Sequence, residues 1–558
     1  MSFHVRRRSR RRFLAPALAA VLALGAVGAY GLRDDGEDRG DGARSVRVRG
    51  LRPCDVPVEI LQRVRRGYAG HRSGDVLTVE WAPNQFAGVR HSTPFPYTQD
   101  VPIVLYGPGF IRSGVTSSRD VTVADLAPTF AELLRFYEWP ERDGKVLKEA
   151  LLPRNERNGV PKLIFTLVWD GGGDNLLRQW PDAWPNLERL MSRSASFEAA
   201  TVGSSPSITP AIHATLGTGA FPDVHGHPDM ELRIDDDMQF VWQGASPQYL
   251  AIETLADRWD AARGNEPLVG VMARDTYHLG MIGHGAYLPG ADHDIAVIDD
   301  LASTAFRTNE DFYSLPGYLR NSDGLTDAID EIDVRDGAAD RRWRGNPLDD
   351  GDPFLRYTPV WPIYQTQRIT QLFENEGFGS DDVSDLFFTN YKGTDLAGHF
   401  WNLVEPEERE VLREQDRELE VLIELLDRVV GRNDYVLALT ADHGISPYPS
   451  VTGGWPIEGG EVSADIERRF NEDGSGKPLI LSNRGYQIFL RPKQMRRNGI
   501  TPEDVAAYLR DYRLEDNVSS GSELPDRFEG RKDERLFMTA LTPTELDDAL
   551  ACARDRQR

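Results

Sequence analysis

Apolar runs of strand length recur along the chain, and several of them lead into Gly, Asp or Lys. They are "DVLTVEW" (75–81), "VPIVLYG" (101–107), "LIFTLVW" (163–169), "DLFFTNY" (385–391) and "YVLALT" (435–440). Unbroken runs of this kind predict strands that are buried on both faces, as in a parallel sheet. Helical patterns separate them, the clearest over 405–429. This alternation favours a doubly wound α/β fold, with a mostly parallel central sheet flanked by helices.

Other stretches set the expected boundaries. Residues 286–360 are rich in Asp, Gly, Arg and Pro and have no clear periodicity. We therefore expect a core over 153–446 with a cap insertion at about 270–360. Residues 447–558 hold a loop-rich stretch, a strand pattern at 486–490 and a helical pattern at 502–512. They are predicted to be the remainder of the same domain.

The first 50 residues follow a different pattern. Residues 1–32 have a basic front and then an apolar stretch, which is the layout of an export signal. Within it, "SRRRFLA" (9–15) is similar to the bacterial twin-arginine signal. An uncleaved membrane anchor is the alternative, because the apolar stretch has the roughly 20 residues that a span requires. Residues 33–50, rich in Asp, Gly and Arg, predict a disordered linker.

The net charge limits the classes of binding partner, and the cysteine count bears on a disulfide. The chain has 558 residues and a formal net charge of −24, which argues against nucleic acid or an anionic membrane as the main partner. A small phosphorylated substrate stays possible, since bound cations reverse the local field. Its only cysteines are Cys54 and Cys552. In an exported protein an even count predicts a disulfide, and two free thiols are the alternative.

Candidate metal ligands follow two of the apolar runs. Asp170 comes directly after 163–169, and Asp442 with His443 comes just after 435–440. Ligands of open α/β sheets bind beyond the carboxyl ends of the strands, where these residues are expected. Asp395 and His399 are four residues apart, a spacing that stacks both on one helix face. One carboxylate and one imidazole on the same face suit Zn²⁺ or a similar ion.

A candidate nucleophile precedes a helical pattern. Thr209 is followed by Pro210 and "AIHATLGTG". A Thr at this place is a good helix cap, which is its structural interpretation. The functional interpretation uses the same geometry, because the N-terminus of a helix favours negative charge beside the hydroxyl. His213 and His225 lie behind it and are expected to be structural.

Together these stretches resemble the alkaline phosphatase superfamily, and most closely its type I phosphodiesterase/nucleotide pyrophosphatase branch. The similar segments are Asp170 with "DGGG", Thr209 with "GTGAFPDVHG", "TDLAGH" (394–399) and "ADHG" (441–444). The resemblance implies a metal-dependent phosphoric ester hydrolase with two ions, Zn²⁺ or else Mn²⁺ or Fe. It implies that Thr209 forms a covalent phospho-threonine. Asp170, Thr209, Asp442 and His443 would hold one ion, and Asp395 with His399 the other.

The second ion requires one more histidine, which the family supplies near its C-terminus. No histidine follows His443 in this chain. Residues 89–109, "VRHSTPFPYTQDVPIVLYGPG", are instead similar to that C-terminal segment, with His91 as the ligand and Ser92 in place of the usual Gly. The resemblance therefore implies a circular permutation, with residues 51–152 as the moved segment and 153–162 as the connector. An unrelated N-terminal domain that happens to carry a histidine is the alternative.

The substrate stays open between phosphate diesters and monoesters. Ile212 stands where the nucleotide pyrophosphatases carry Asn, and "RDT" (274–276) is an incomplete match to the Lys-Asp-Arg triplet of some monoesterases. Lys392 and Arg274 are candidate substrate contacts. His278, His284 and His293 lie in the predicted cap, where substrate contact is possible.

Three rival functions are considered for this metal site and scaffold. A sulfatase is disfavoured because Ile208 stands where its motif requires Arg. A phosphotransferase or phosphomutase would use the same metal site, and a non-enzymatic surface-binding protein would use the same scaffold. The sequence leaves the oligomeric state open.

Overall fold

Three of the apolar runs lie side by side in the middle of a nine-stranded sheet. In the computed structural model, which describes residues 51–88, 91–300, 303–519 and 522–557, residues 163–169 pair in parallel with 385–391 and with 435–440. Every residue of these three strands is buried. This confirms the prediction of parallel strands covered on both faces.

The remaining elements surround these strands. The strands, numbered in chain order, are β1 Val76–Glu80, β2 Gln85–Phe86, β3 Ile103–Tyr106, β4 Val115–Ser117, β5 Val121–Thr122, β6 Leu163–Trp169, β7 Ala195–Phe197, β8 Ala200–Thr201, β9 Glu231–Ile234, β10 Asp237–Phe240, β11 Val269–Ala273, β12 Ile295–Asp299, β13 Phe306–Arg307, β14 Arg342–Trp343, β15 Asn346–Pro347, β16 Asp385–Tyr391, β17 Tyr435–Thr440, β18 Pro456–Ile457, β19 Ile480–Asn483, β20 Gln487–Leu490 and β21 Phe537–Leu541. The α-helices are α1 Val58–Gly67, α2 Pro96–Gln99, α3 Leu126–Leu133, α4 Asp174–Gln179, α5 Pro185–Met191, α6 Thr209–Thr218, α7 Pro222–His225, α8 Leu255–Ala262, α9 Leu325–Asp333, α10 Val360–Glu376, α11 Gly393–Phe400, α12 Pro406–Leu426, α13 Pro449–Thr452, α14 Gly459–Phe470, α15 Pro492–Asn498, α16 Pro502–Asp511 and α17 Pro543–Gln557. Short 3₁₀ segments fill several of the connections.

The central sheet is mixed, with a parallel core. Its order is β13-β12-β11-β16-β6-β17-β3-β7-β4. Strands β12, β11, β16, β6 and β17 are parallel to one another. Strand β3 is antiparallel to both β17 and β7, so the expectation that 101–107 forms a parallel strand is wrong. An apolar run predicts that both faces are buried but carries no information about the direction of its neighbours.

The run at 75–81 also departs from expectation, because β1 lies outside the central sheet. It pairs antiparallel with β20 and β21 in a four-stranded sheet of order β19-β20-β1-β21. Val76 packs into one apolar cluster, whereas Leu77 and Val79 pack into another. Both faces of β1 are therefore covered, which explains why its pattern resembles that of a parallel strand.

The region predicted as a cap is divided between core and periphery. Within 270–360, β12 and nearly all of β11 belong to the parallel core, and β13 forms its edge. The prediction that this whole region is a cap is therefore wrong for its first part. These two five-residue strands, "VGVMA" and "IAVID", are too short to stand out among the neighbouring Asp and Gly. Helix α9 and the β14–β15 hairpin follow them.

Helices cover both faces of the central sheet. Along β6, Ile164 and Val168 enter a cluster shared with residues of α3, α6 and α8. The alternate positions, including Phe165 and Leu167, enter a second cluster with residues of α5, α9, α10 and α12. Strand side chains alternate between faces, so this division defines a three-layer α/β/α fold. The doubly wound architecture predicted from the sequence is confirmed.

The two ends of the described chain are joined. Cys54 and Cys552 form a disulfide with 5.7 Å between their Cα atoms, across 498 residues of sequence. Around it, apolar residues near the front of the chain, including Ile60 and Leu61, pack with Leu546 and Leu550 of α17. The predicted disulfide is confirmed, and such bonds are typical of oxidising compartments.

The predicted signal or anchor (1–32) and linker (33–50) lie outside the described residues. Within the described ranges, every helix is too short or too polar to cross a membrane.

Candidate metal centre

Three adjacent parallel strands deliver acidic residues to one edge of the sheet. Asp170 directly follows β6, Asp442 and His443 closely follow β17, and Asp395 lies on α11 just after β16. All four are buried, and Asp170, Asp442 and His443 are fully so. The carboxyl ends of parallel strands meet at one edge, as the sequence predicts for these residues.

His91 lies beside the Asp395–His399 pair, although about 300 residues separate them in sequence. Asp395 Oδ1 is 3.3 Å from His399 Nε2 and 3.8 Å from His91 Nε2. The Nδ1 atom of His91 is 2.9 Å from the carbonyl oxygen of Ser207, an acceptor that directs Nε2 toward Asp395. Burial lowers the pKa of His91 to about 4, which keeps the ring neutral. A neutral imidazole is the form that binds metals.

Asp170, Asp442 and His443 form a neighbouring group. His443 Nε2 is 3.3 Å from Asp442 Oδ2 and 3.6 Å from Asp170 Oδ1, and its Nδ1 faces the Gly444 carbonyl oxygen at 3.2 Å. The rings of His443 and His91 stack at 3.8 Å, so the two groups share a wall. Burial lowers the pKa of His443 well below its usual value.

The donor atoms of both groups fit divalent metal ions. Asp395 Oδ1, Asp442 Oδ2 and His443 Nε2 are buried and have no hydrogen-bond partner. Burial, together with the charge of Asp170, raises the pKa of Asp442 well above its usual value, although the Lys392 ammonium and the Gly171 backbone N–H act in the opposite direction. Buried polar atoms are rarely left unsatisfied. Ligand atoms of His91, Asp395 and His399 lie within 4.8 Å of one another, as do those of Asp170, Asp395 and His443, and Asp442 adjoins the second set through His443.

Thr209 opens α6 at the junction of the two groups. Ile208 occupies the N-cap position in an extended conformation, and Thr209 is the first helical residue, one position later than the predicted cap. The hydroxyl of Thr209 is buried and lies 3.0 Å from the Nζ atom of Lys392. Its backbone carbonyl accepts a hydrogen bond from His213 Nδ1 at 2.8 Å. The Thr209 hydroxyl is therefore hydrogen-bonded to Lys392, and Ile208 takes the N-cap position.

Lys392 connects all of these parts. Its Nζ lies 2.8 Å from Asp170 Oδ1, 2.9 Å from Asp395 Oδ2 and 3.0 Å from Thr209 Oγ1. Burial opposes its charge, but Asp170 and Asp395 raise the pKa of Lys392 above its ordinary value. The ammonium group thus touches the candidate nucleophile and one carboxylate of each group.

Comparison with known proteins decides the family. The sequence model of the type I phosphodiesterase / nucleotide pyrophosphatase family matches residues 164–542. The chain belongs to this family. It is accordingly a metal-dependent phosphoric ester hydrolase. The match includes Thr209 and both pairs that the sequence analysis singled out, Asp395 with His399 and Asp442 with His443, but it begins after His91.

Individual relatives agree with this family. The chain is 23% identical over 403 residues to a protein of Myroides odoratus named calcium-transporting ATPase, covering 63% of this chain and 73% of that one. It is 22% identical over 421 residues to alkaline phosphatase PafA of Elizabethkingia meningoseptica, covering 66% and 76%. The crystal structure of wild-type PafA superposes with a TM-score of 0.50 at 16% identity, over 68% of this chain and 84% of that one. At this identity, the structural likeness supports the shared fold.

In this member of the family, Asp170 is held by residues that the sequence analysis did not assign to it. Its Oδ2 lies 2.9 Å from Asn390 Nδ2 and 3.2 Å from His278 Nε2. Burial would lower the pKa of His278, but Asp275 and Asp170 raise it to about 9, so the ring is charged. The only sequence signal for Asn390 is that it is a polar residue inside an apolar strand. The sequence places His278 in the predicted cap and does not connect it with Asp170.

Arg274 and His213 each lie close to acidic residues of this region. Arg274 Nη1 pairs with Asp275 Oδ2 at 3.1 Å, and Asp275 in turn contacts His278. Arg274 is therefore linked to Asp170 through two intervening side chains, and the contacts in the described chain do not bring it to Thr209. His213, expected to be purely structural, lies 3.7 Å from Asp442 Oδ2.

We predict that Lys392→Met destabilises the metal-free protein more than the metal-loaded protein. Removing one partner of a buried ion pair costs about 3–5 kcal/mol, because the carboxylates are left uncompensated. Bound divalent ions would supply positive charge to the same carboxylates and reduce this loss. Denaturant unfolding with and without chelator measures both free energies. Lys148→Met, at an exposed site, is the matched control. Equal losses in the two forms, or no loss, would contradict the compensating role of Lys392.

Proposed function

We propose that this protein is an exported two-metal phosphohydrolase that cleaves phosphate esters through a phospho-threonine at Thr209. One observation carries the proposal. The Lys392 ammonium contacts the Thr209 hydroxyl together with Asp170 of one ligand group and Asp395 of the other. The hydroxyl is therefore held at the junction of the two groups, the place from which it could attack a phosphorus bound between them.

Each ligand group would hold one ion. Asp170, Asp442 and His443 would bind the first ion together with Thr209, and Asp395, His399 and His91 would bind the second. Mixed carboxylate and imidazole ligands favour Zn²⁺, with Mn²⁺ and Fe as alternatives. When bound, such ions polarise phosphoryl oxygens, lower the pKa of coordinated hydroxyl groups and neutralise developing charge.

The chain itself positions the reaction. Thr209 loses its hydroxyl proton to solvent, and Oγ1 attacks phosphorus in line. The new Oγ1–P bond forms, the bond from phosphorus to the leaving oxygen breaks, and that oxygen takes up a proton from solvent. The N-terminal end of α6, which has no side-chain cap, favours the negative charge of the transferred phosphoryl group. Water then attacks the same phosphorus and breaks the Oγ1–P bond, which releases phosphate or a phosphate monoester. Lys392 holds the hydroxyl in place before the first step.

The choice between diesters and monoesters depends on which residues contact the substrate. The family description names phosphodiesterases and nucleotide pyrophosphatases, and PafA is named an alkaline phosphatase. Ile212 on α6 offers no amide to a phosphoryl oxygen. Arg274 is engaged by Asp275 and would have to turn to reach a substrate. The substrate itself is proposed to be a small phosphorylated molecule, which can bind despite the net charge of −24 because bound cations reverse the local field.

Export is supported by two observations. The N-terminal sequence has the layout of a signal with a twin-arginine stretch, and the disulfide suits an oxidising compartment. Activity found only inside the producing cells would contradict export.

We predict that Thr209→Ala lowers kcat by about 10³-fold or more for both 4-nitrophenyl phosphate and bis(4-nitrophenyl) phosphate, because the attacking oxygen is lost. Thr209→Ser should keep part of the rate.

Metal-loaded wild-type protein, quenched in acid during turnover, should carry phosphate on Thr209 by mass spectrometry. The ratio of the two wild-type rates gives the ester preference, and product analysis with an added alcohol separates hydrolysis from phosphotransfer. A Thr209→Ala protein with near wild-type rates would show that the nucleophile is misassigned, and Ser207→Ala would then be the variant to compare.

We also propose that the chain is a circular permutant of its family. Three observations support this. The family match begins at residue 164, after the segment that carries His91. Strand β3 of that segment pairs with β17, and β1 pairs with β20 and β21. The ends that the rearrangement would have opened are joined by Cys54–Cys552.

This proposal predicts that the conventional order is also viable. A chain that opens within 153–162 and joins the disulfide-linked ends through a short Gly/Ser linker, with both cysteines kept, should fold and keep turnover within about 10-fold, because termini that lie close together tolerate such exchange. In the natural order, Cys54→Ser/Cys552→Ser should cost about 2–4 kcal/mol, whereas in the linked chain the same change should cost much less. An insoluble or inactive linked chain, or equal costs in both orders, would contradict the permutation.

A further inference from the structure

A second group of carboxylates lies at the opposite edge of the central sheet from the candidate metal centre. Asp260 is on α8, and Asp292 and Asp294 lie in the loop that enters β12. One carboxylate oxygen from each of the three lies within 4.8 Å of those of the other two. Strand β12 is parallel to β11, and β11 to β16, so the start of β12 is at the amino-terminal edge of the sheet. Asp170, Asp395 and Asp442 lie at the opposite, carboxyl-terminal edge.

The group is buried without a compensating charge. Asp260 is 4% exposed and Asp294 is 7% exposed, whereas Asp292 faces solvent. The Oδ1 atom of Asp260 is buried and receives no hydrogen bond, although its carboxylate is turned toward the other two. Among the described residues, no Lys, Arg or His side chain forms an ion pair with any of the three. An unsatisfied buried carboxylate oxygen is costly and points to a missing partner.

The neighbouring groups do not relieve this charge. Asp257, also on α8, adds a fourth carboxylate, but it is already engaged by the Thr254 backbone N–H at 2.7 Å and by His284 Nδ1 at 2.9 Å. Burial, followed by the charge of Asp292, raises the pKa of Asp260 to about 7. Burial also raises the pKa of Asp294 well above its usual value, and Asp257, Asp260 and Asp292 all act in the same direction. Without a cation, the charged carboxylates repel one another, and the repulsion is relieved only when a proton is taken up, as in the hydrogen bond between Asp260 and Asp292.

We propose that Asp260, Asp292 and Asp294 bind a hard divalent cation, Ca²⁺, at a structural site separate from the catalytic centre. Their ligand atoms are all oxygens. Oxygen ligands suit Ca²⁺, whereas Zn²⁺ prefers sites that include imidazole ligands. Ca²⁺ tolerates irregular geometry and completes its shell with water or carbonyl oxygens, and the exposed Asp292 gives it access. A bound ion would tie the last turn of α8 to the start of β12.

The test uses the full-length metal-loaded protein, washed with a Ca²⁺-selective chelator and then titrated with Ca²⁺ or Mg²⁺ by calorimetry, with Tm measured for each state. We expect one Ca²⁺ per chain and a higher Tm in its presence. Asp292→Asn should abolish both effects while keeping hydrolase activity. In the absence of Ca²⁺, the same variant should have a Tm equal to or above that of wild type, because a repulsive charge has been removed. Asp311→Asn, at an exposed site outside the group, should behave as wild type.

Two results would overturn the proposal. The first is a wild-type protein whose Tm and calorimetric signal do not respond to Ca²⁺. The second is an Asp292→Asn variant that retains the full response, which would place the bound ion elsewhere. A response to Mg²⁺ that equals the response to Ca²⁺ would also count against the assignment, since Mg²⁺ demands a stricter octahedral geometry.

Discussion

Three buried carboxylates at one edge of the sheet, those of Asp170, Asp395 and Asp442, set the constraint on which the rest of the catalytic structure depends. Each would be unstable alone in a low-dielectric interior, so each requires a cation or hydrogen-bond donors close by. The chain supplies Lys392, the charged His278 and the Asn390 amide for Asp170. It leaves oxygens of Asp395 and Asp442 without partners. That incomplete compensation is why we propose this edge as the site for divalent ions.

The fold meets this constraint by assembling the site from distant parts of the chain. Parallel strands β6, β16 and β17 place the acids, and α6 presents the Thr209 hydroxyl beside the Lys392 ammonium. His91 comes from the front of the chain and stacks on His443 from the back. The disulfide between Cys54 and Cys552 closes the fold near the elements that flank this front segment. A long loop closed in this way limits the entropy of the unfolded chain.

Much of this arrangement is readable from the sequence, because strand ends and helical spacing are local signals. The run before Asp170 and the four-residue spacing of Asp395 and His399 predicted their places. His91 required resemblance to a family, since no local pattern connects it with Asp395. Residue Asn390 and the central position of Lys392 depend on tertiary packing, which periodicity does not encode. The same limit explains β1 and β3, whose burial was predicted but whose neighbours and directions were not.

The central claim is that His91 completes a two-ion centre around Thr209. Anomalous diffraction at the zinc absorption edge, from crystals of zinc-loaded protein, tests it most directly. The account predicts two peaks about 3.5–4 Å apart, the spacing of two-metal sites. One peak should be bound by His91, Asp395 and His399, and the other by Asp170, Asp442 and His443. A single peak, or a second ion that His91 does not contact, would contradict the account.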